Sequence, residues 1–129
     1  MVNGNAFSGR ILIVDDEIAV CKMLEMFFER GGYDVETITN PAQTTEVYAK
    51  FNPDIVLLDL LMPELDGISV LKKIKEIDET AKVIIISELQ DIAMAKEALK
   101  HGAIDYFTKP IQLDNLDDWI QMELKRDSV

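Results

Sequence analysis

The sequence contains one cysteine, Cys21, and one histidine, His101, among 129 residues. A single cysteine excludes an intramolecular disulfide and any thiolate metal cluster. Its neighbours Val20, Met23 and Leu24 give it the character of a small core residue. Thiol catalysis and a Ser-His-Asp triad are also excluded, because the only histidine closes a helical stretch. Long apolar runs are missing: segments such as Ile11–Val14 and Ile55–Leu58 fall far short of the roughly 20 residues a membrane span needs. The opening MVNGNAFSGR has no apolar signal-peptide core, so cytoplasm is the expected compartment. Positive charge is scarce too, with 13 Lys and Arg against 24 Asp and Glu and a net charge of −11. A field of that sign repels phosphate backbones and anionic lipid, which disfavours nucleic acid and membrane surfaces as partners. What the chain does have is apolar content: 48% hydrophobic residues support one domain with an ordinary core.

The apolar residues follow a regular pattern. Short runs rich in β-branched residues predict strands at Ile11–Val14, Tyr33–Ile38, Ile55–Leu58, Val83–Ile86 and Ile104–Phe107. Stretches of helical period lie between them. Ile18–Arg30 carries apolar residues at 20, 21, 24, 27 and 28 and stops at Gly31-Gly32. Asn40-Pro41 reads as a cap followed by a proline in the first turn, with Pro53 closing that segment. Asp66-Gly67 opens a third helix with Ile68, Leu71, Ile74 and Ile77 at i+3 spacing, and Lys72, Lys73 and Lys75 on a solvated face. Asp91–His101 and Asp114–Lys125 complete the set, and residues 1–9 read as a flexible tail before a domain over 10–129. Five strands alternating with five helices imply an α/β fold with a parallel sheet covered on both faces. Right-handed crossovers at this length favour the flavodoxin-like, doubly wound order 2-1-3-4-5.

Each apolar strand runs into a polar residue. Strand 1 leads into Asp15-Asp16-Glu17, strand 3 into Asp59, strand 4 into Ser87 and strand 5 into Lys109. In a parallel sheet all these ends share one edge, the edge where ligands bind. The order 2-1-3-4-5 sets the strands carrying Asp16 and Ser87 about 4.8 Å to either side of Asp59. Clustered carboxylates require a counter-charge, and Mg²⁺ is the hard, oxygen-preferring ion that suits them. A carboxylate beside Mg²⁺, with a lysine and a hydroxyl at hand, has the parts for phosphoryl transfer to an aspartate.

At this point the sequence resembles the receiver domain of two-component response regulators, from about Arg10 to Lys125. The segments that carry the resemblance are ILIVDDE at Ile11–Glu17, DIVLLDLLMPELDG at Asp54–Gly67, VIIIS at Val83–Ser87 and GAIDYFTKP at Gly102–Pro110. The resemblance implies that Asp59 accepts the phosphoryl group, with Lys109 and Ser87 as its catalytic companions. Asp15, Asp16, Asp59 and the carbonyl of Leu61 would hold Mg²⁺. Ser87 and Tyr106 would form the switch, Pro63 and Gly67 the loop after the acceptor, and Lys109-Pro110 a cis bond. It further implies a signalling protein whose only catalysis is its own phosphotransfer and autodephosphorylation. A sensor histidine kinase or phosphotransfer protein would be its donor. A second copy of the chain or a downstream effector would be its further partner, through the face of helix 4, strand 5 and helix 5.

One position departs from the family. Glu88 follows the switch hydroxyl, where a small residue is usual, and it either crowds the phosphoryl site or points to solvent from its loop. Two other classes compete with the switch. An aspartyl-phosphate phosphatase on a related sheet would have a second aspartate two residues after its nucleophile, and Leu61 stands there. An interaction module that has lost its switch is favoured only by Glu88. A flavin or nucleotide binder is disfavoured by the acidic first loop. The family positions that border the attacking water correspond to Leu61 and Leu89, both apolar, which implies a slowly decaying phosphorylated state.

Overall fold

The computed structural model describes residues 9–60, 62, 66–88 and 92–128, with side chains as far as Lys125. Leu61, Pro63 and Leu89 lie outside the described residues. Five strands, β1 (Arg10–Val14), β2 (Asp34–Ile38), β3 (Ile55–Asp59), β4 (Val83–Ser87) and β5 (Asp105–Thr108), pair in parallel in the order β2-β1-β3-β4-β5. Helices α1 (Ile18–Arg30), α2 (Thr44–Phe51), α3 (Gly67–Ile77), α4 (Ile92–Lys100) and α5 (Leu113–Ser128) alternate with them. This is the doubly wound α/β arrangement expected from the pattern.

The sheet divides the core in two. On one face Leu12, Val14, Val56, Leu58, Val83 and Ile85 pack with residues of α2, α3 and α4. On the other, Ile11, Ile13, Ile55, Leu57, Ile84 and Ile86 pack with α1 and α5. Every residue of β3 and β4 is buried, as is all of β1 but Arg10. A strand covered on both faces needs apolar residues at consecutive positions, and these three strands are continuous apolar runs for that reason.

The element ends differ from the predicted ones for local reasons. The strand predicted from Tyr33 starts at Asp34, because Tyr33 belongs to the closure of α1. Its amide donates to the Phe28 carbonyl at 3.1 Å and that of Gly32 to Glu29 at 3.1 Å. Gly32 takes φ +98°, and the Tyr33 ring meets the Phe28 ring edge-on at 5.7 Å. This is a Schellman closure with its apolar contact, and only glycine takes that φ without strain. Gly102 (φ +102°) and Ala103 close α4 in the same manner, and β5 runs from Asp105, one residue after the predicted Ile104, whose amide already donates to the Val83 carbonyl at 2.9 Å. The segment after Asn40 opens as a 3₁₀ turn over Pro41–Gln43 before becoming α2, with the Asn40 side chain accepting from the Ala42 amide. Asn52 caps the end of α2 in the left-handed conformation, with φ +52° and its amide donating to the Tyr48 carbonyl at 2.9 Å. Two readings of α3 are corrected. Ile77 is exposed, because the buried stripe is Val70, Leu71 and Ile74 and the helix ends before its next turn reaches the core. Lys75 is half-buried, and its Nζ donates to the carbonyls of Glu79 and Ala81 at 2.9 and 2.8 Å, bracing the turn into β4.

Tyr48 of α2 is tied to the end of α3 by a hydrogen bond from its hydroxyl to Asp78 Oδ2 at 2.7 Å. Hydrogen bonds from Thr80 and then from Tyr48 hold the Asp78 carboxyl below the ordinary aspartate range. A depressed folded pKa stabilises above the unfolded value near 3.8, and that stability is lost as pH falls through the folded value. Tyr48→Phe should therefore cost about 1 kcal/mol at pH 7. The deficit should shrink below pH 3.8. Chemical denaturation at the two pH values checks this, and an identical deficit at both would contradict it.

Candidate functional site

The residues at the C-terminal ends of the strands converge as the topology requires. Val14 pairs with Leu58, so Asp15 leaves β1 beside Asp59, the last residue of β3. Asp59 pairs with Ile86 and Ser87 with Thr108, which sets Ser87 and Lys109 one and two strands further along. The Lys109 amide donates to the Ser87 carbonyl at 2.7 Å, and the Lys109-Pro110 bond is cis, as the resemblance implies.

Asp15, Asp59 and Ser87 are buried, which is costly for polar side chains without partners. Lys109 supplies much of the compensation. Its Nζ lies 3.4 Å from Asp15 Oδ2, 3.6 Å from Asp59 Oδ2 and 3.8 Å from Glu17 Oε1. Burial works against the charged ammonium, but Asp15 and Asp59 outweigh it and raise the lysine's pKa above its ordinary value. Burial also pushes the Asp15 carboxyl upward, against the pull of the Glu17 amide, which donates to Asp15 Oδ1 at 2.9 Å, and of Lys109. Cys21 Sγ donates to the Asp15 carbonyl at 3.3 Å, and burial lifts that thiol to about 11, in keeping with a structural role.

Asp15, Asp16 and Asp59 each offer an oxygen within 4.8 Å of the others, a donor set that could hold a metal ion. The donors are all hard carboxylates, which fits Mg²⁺. Ser87 Oγ is fully buried and has no hydrogen-bond partner among the described residues. A buried hydroxyl left in that condition is uncommon outside functional sites.

Tyr106 is half-buried on β5 and packs against the core face shared with α4, whereas Phe107 faces the other way and meets Trp119 of α5 edge-on at 6.4 Å. Glu88 is half-buried directly after β4. His101, set aside as a catalyst, lies 3.2 Å from Glu97 on the outside of α4. The residue that reading the sequence left without a role is Glu17. The signal for it was present, a third acidic residue in a row at the mouth of α1.

Comparison with known proteins agrees with the geometry. Residues 11–121 match the response regulator receiver domain family. The chain is 36% identical over 115 residues to sporulation initiation phosphotransferase F of Bacillus subtilis, covering 89% of this chain and 93% of that protein. It is 42% identical over 104 residues to the chemotaxis protein CheY of Thermotoga maritima, covering 80% and 87%. Regulatory protein AtoC of Escherichia coli is 38% identical over 120 residues, and there the chain spans 93% of its own length but 26% of the relative. A receiver domain protein from Clostridium thermocellum superimposes with a TM-score of 0.86 at 29% identity, covering 92% of this chain and 96% of that one. By the span of the family match and the identity to relatives of similar length, the chain belongs to the receiver domains of two-component response regulators.

Proposed function

We propose that this receiver domain is a phosphorylation-driven switch with Asp59 as its acceptor. The observation that carries the reading is the convergence of Asp15, Asp16, Asp59 and Lys109 on one sheet edge, beside a buried Ser87 hydroxyl without a partner among the described residues. A carboxylate oxygen of Asp59 attacks the phosphorus of a phosphohistidine on a sensor kinase or phosphotransfer protein. The new P–O bond forms as the P–N bond breaks, and the departing imidazole nitrogen takes up a proton. Asp15, Asp16 and Asp59, with the carbonyl of Leu61, are the residues that would hold Mg²⁺, which when bound supplies charge neutralisation for the entering phosphoryl oxygens. Lys109 turns from the carboxylate of Asp59 to a phosphoryl oxygen, and Ser87 donates to another. Loss of the group by hydrolysis regenerates Asp59, so the only chemistry is on the chain itself.

The signal leaves through α4, β5 and α5. A Ser87 hydroxyl drawn toward the phosphoryl group vacates space on the side of the sheet where Tyr106 and α4 pack, giving a two-state element. The altered face then meets a second copy or an effector. Phosphorylation by a small donor with Mg²⁺ should change NMR shifts more across residues 87–110 than across 40–50. Equal or larger changes in the second segment would contradict this route.

A further inference from the structure

Glu17 occupies the N-cap position of α1, where a polar side chain ordinarily turns back to accept an amide of the first turn. Its side chain makes no cap hydrogen bond. Its carboxylate is instead 3.8 Å from Lys109 Nζ, with the Glu17 side chain 62% exposed and that of Lys109 only 14%. The same ammonium is shared with Asp15 and Asp59, whose oxygens belong to the acidic cluster that could hold a metal. A divalent cation bound there would contend with Lys109 for the buried carboxylates. The ammonium stands nearer Asp15 and Asp59 than Glu17, and the rim carboxylate of Glu17, outside the cluster, is the third charge that attracts it.

We propose that Glu17 is a positioning residue for Lys109, drawing its ammonium toward the rim and leaving Asp15 and Asp59 open to a divalent cation. The proposal rests on the metal reading above. Its distinguishing consequence is that Glu17 acts through Lys109, so the two residues are energetically coupled, whereas a rim charge acting at a distance is independent of the lysine. Calorimetric titration of the unphosphorylated chain with Mg²⁺ tests this in four forms: wild type, Glu17→Gln, Lys109→Met and the double variant. Lys109→Gln provides a second background should Lys109→Met fail to fold. Glu17→Gln should weaken Mg²⁺ binding about threefold, the scale of a partly exposed ion pair. In the Lys109-substituted background it should leave the affinity unchanged. Equal weakening in both backgrounds, or none in the otherwise wild-type chain, overturns the role of Glu17. Absence of saturable Mg²⁺ binding by wild type overturns the metal reading and this proposal with it.

Discussion

Asp59→Asn should take up no phosphoryl group and yet melt at a higher temperature than wild type in metal-free buffer. The amide lacks the nucleophilic oxygen, so incorporation should fall to background. Stability moves the other way because the carboxylates of Asp15 and Asp16 stand close enough to repel Asp59, against the attraction of the Lys109 ammonium at 3.6 Å. At an effective dielectric near 20 each such pair interacts by about 4 kcal/mol before desolvation, so repulsion outweighs attraction in the metal-free cluster. A net gain of about 1–2 kcal/mol is expected once screening and relaxation are included. With an unfolding entropy of about 2.1 cal/mol/K per residue, that corresponds to roughly 4–7 °C. Mg²⁺ should narrow the gap by stabilising wild type more than the variant. A variant that melts below wild type without metal would show that Asp59 is placed for stability.

The second large effect is expected at Gly67. This residue opens α3 directly behind Asp59, and its amide donates to the Leu60 carbonyl at 2.9 Å. A Cβ there would stand 2.6 Å from the Asp59 carbonyl oxygen and 2.6 Å from Leu60 Cα, both backbone atoms that cannot swing aside. Gly67→Ala must push α3 away from the end of β3, and should cost about 2 kcal/mol, or roughly 7 °C. It should also weaken Mg²⁺ binding by displacing Asp59. Gly31→Ala is the control, since its backbone has φ −81° and its nearest contact would be 3.4 Å away. A thermal melt in which the two variants behave alike would contradict the close-approach account.

The fold was legible because burial leaves a periodic trace. Ile11–Val14, Ile55–Leu58 and Val83–Ile86 had to be apolar at every position to sit between two helical layers, and the sequence shows that directly. What periodicity could not show was where backbone closure takes over from pairing. Tyr33 has the composition of a strand residue, but it follows a left-handed glycine and its amide closes the preceding helix on the Phe28 carbonyl, whereas the amide of Ile104 does reach the sheet, at the Val83 carbonyl. Ile77 looked like core because it continues an i+3 series, but the helix ends there. The candidate site was legible as residue types at strand ends, since the parallel topology gathers those ends at one edge. The sharing of Lys109 among Asp15, Asp59 and Glu17 was not, because a long side chain chooses its partners by direction and distance. Nor does a string of letters reveal that the backbone leaves no room for a Cβ at Gly67.

The central claim, that Asp59 accepts a phosphoryl group in a metal-dependent reaction, is tested most directly by locating the group. The chain should be incubated with a small phosphodonor, with Mg²⁺ or with a chelator, and the modified residue identified by mass spectrometry of its peptides. The account predicts one phosphoryl group per chain, on Asp59, formed with Mg²⁺ and absent with the chelator. Modification of another residue, or equal modification of Asp59 without the metal, would contradict it.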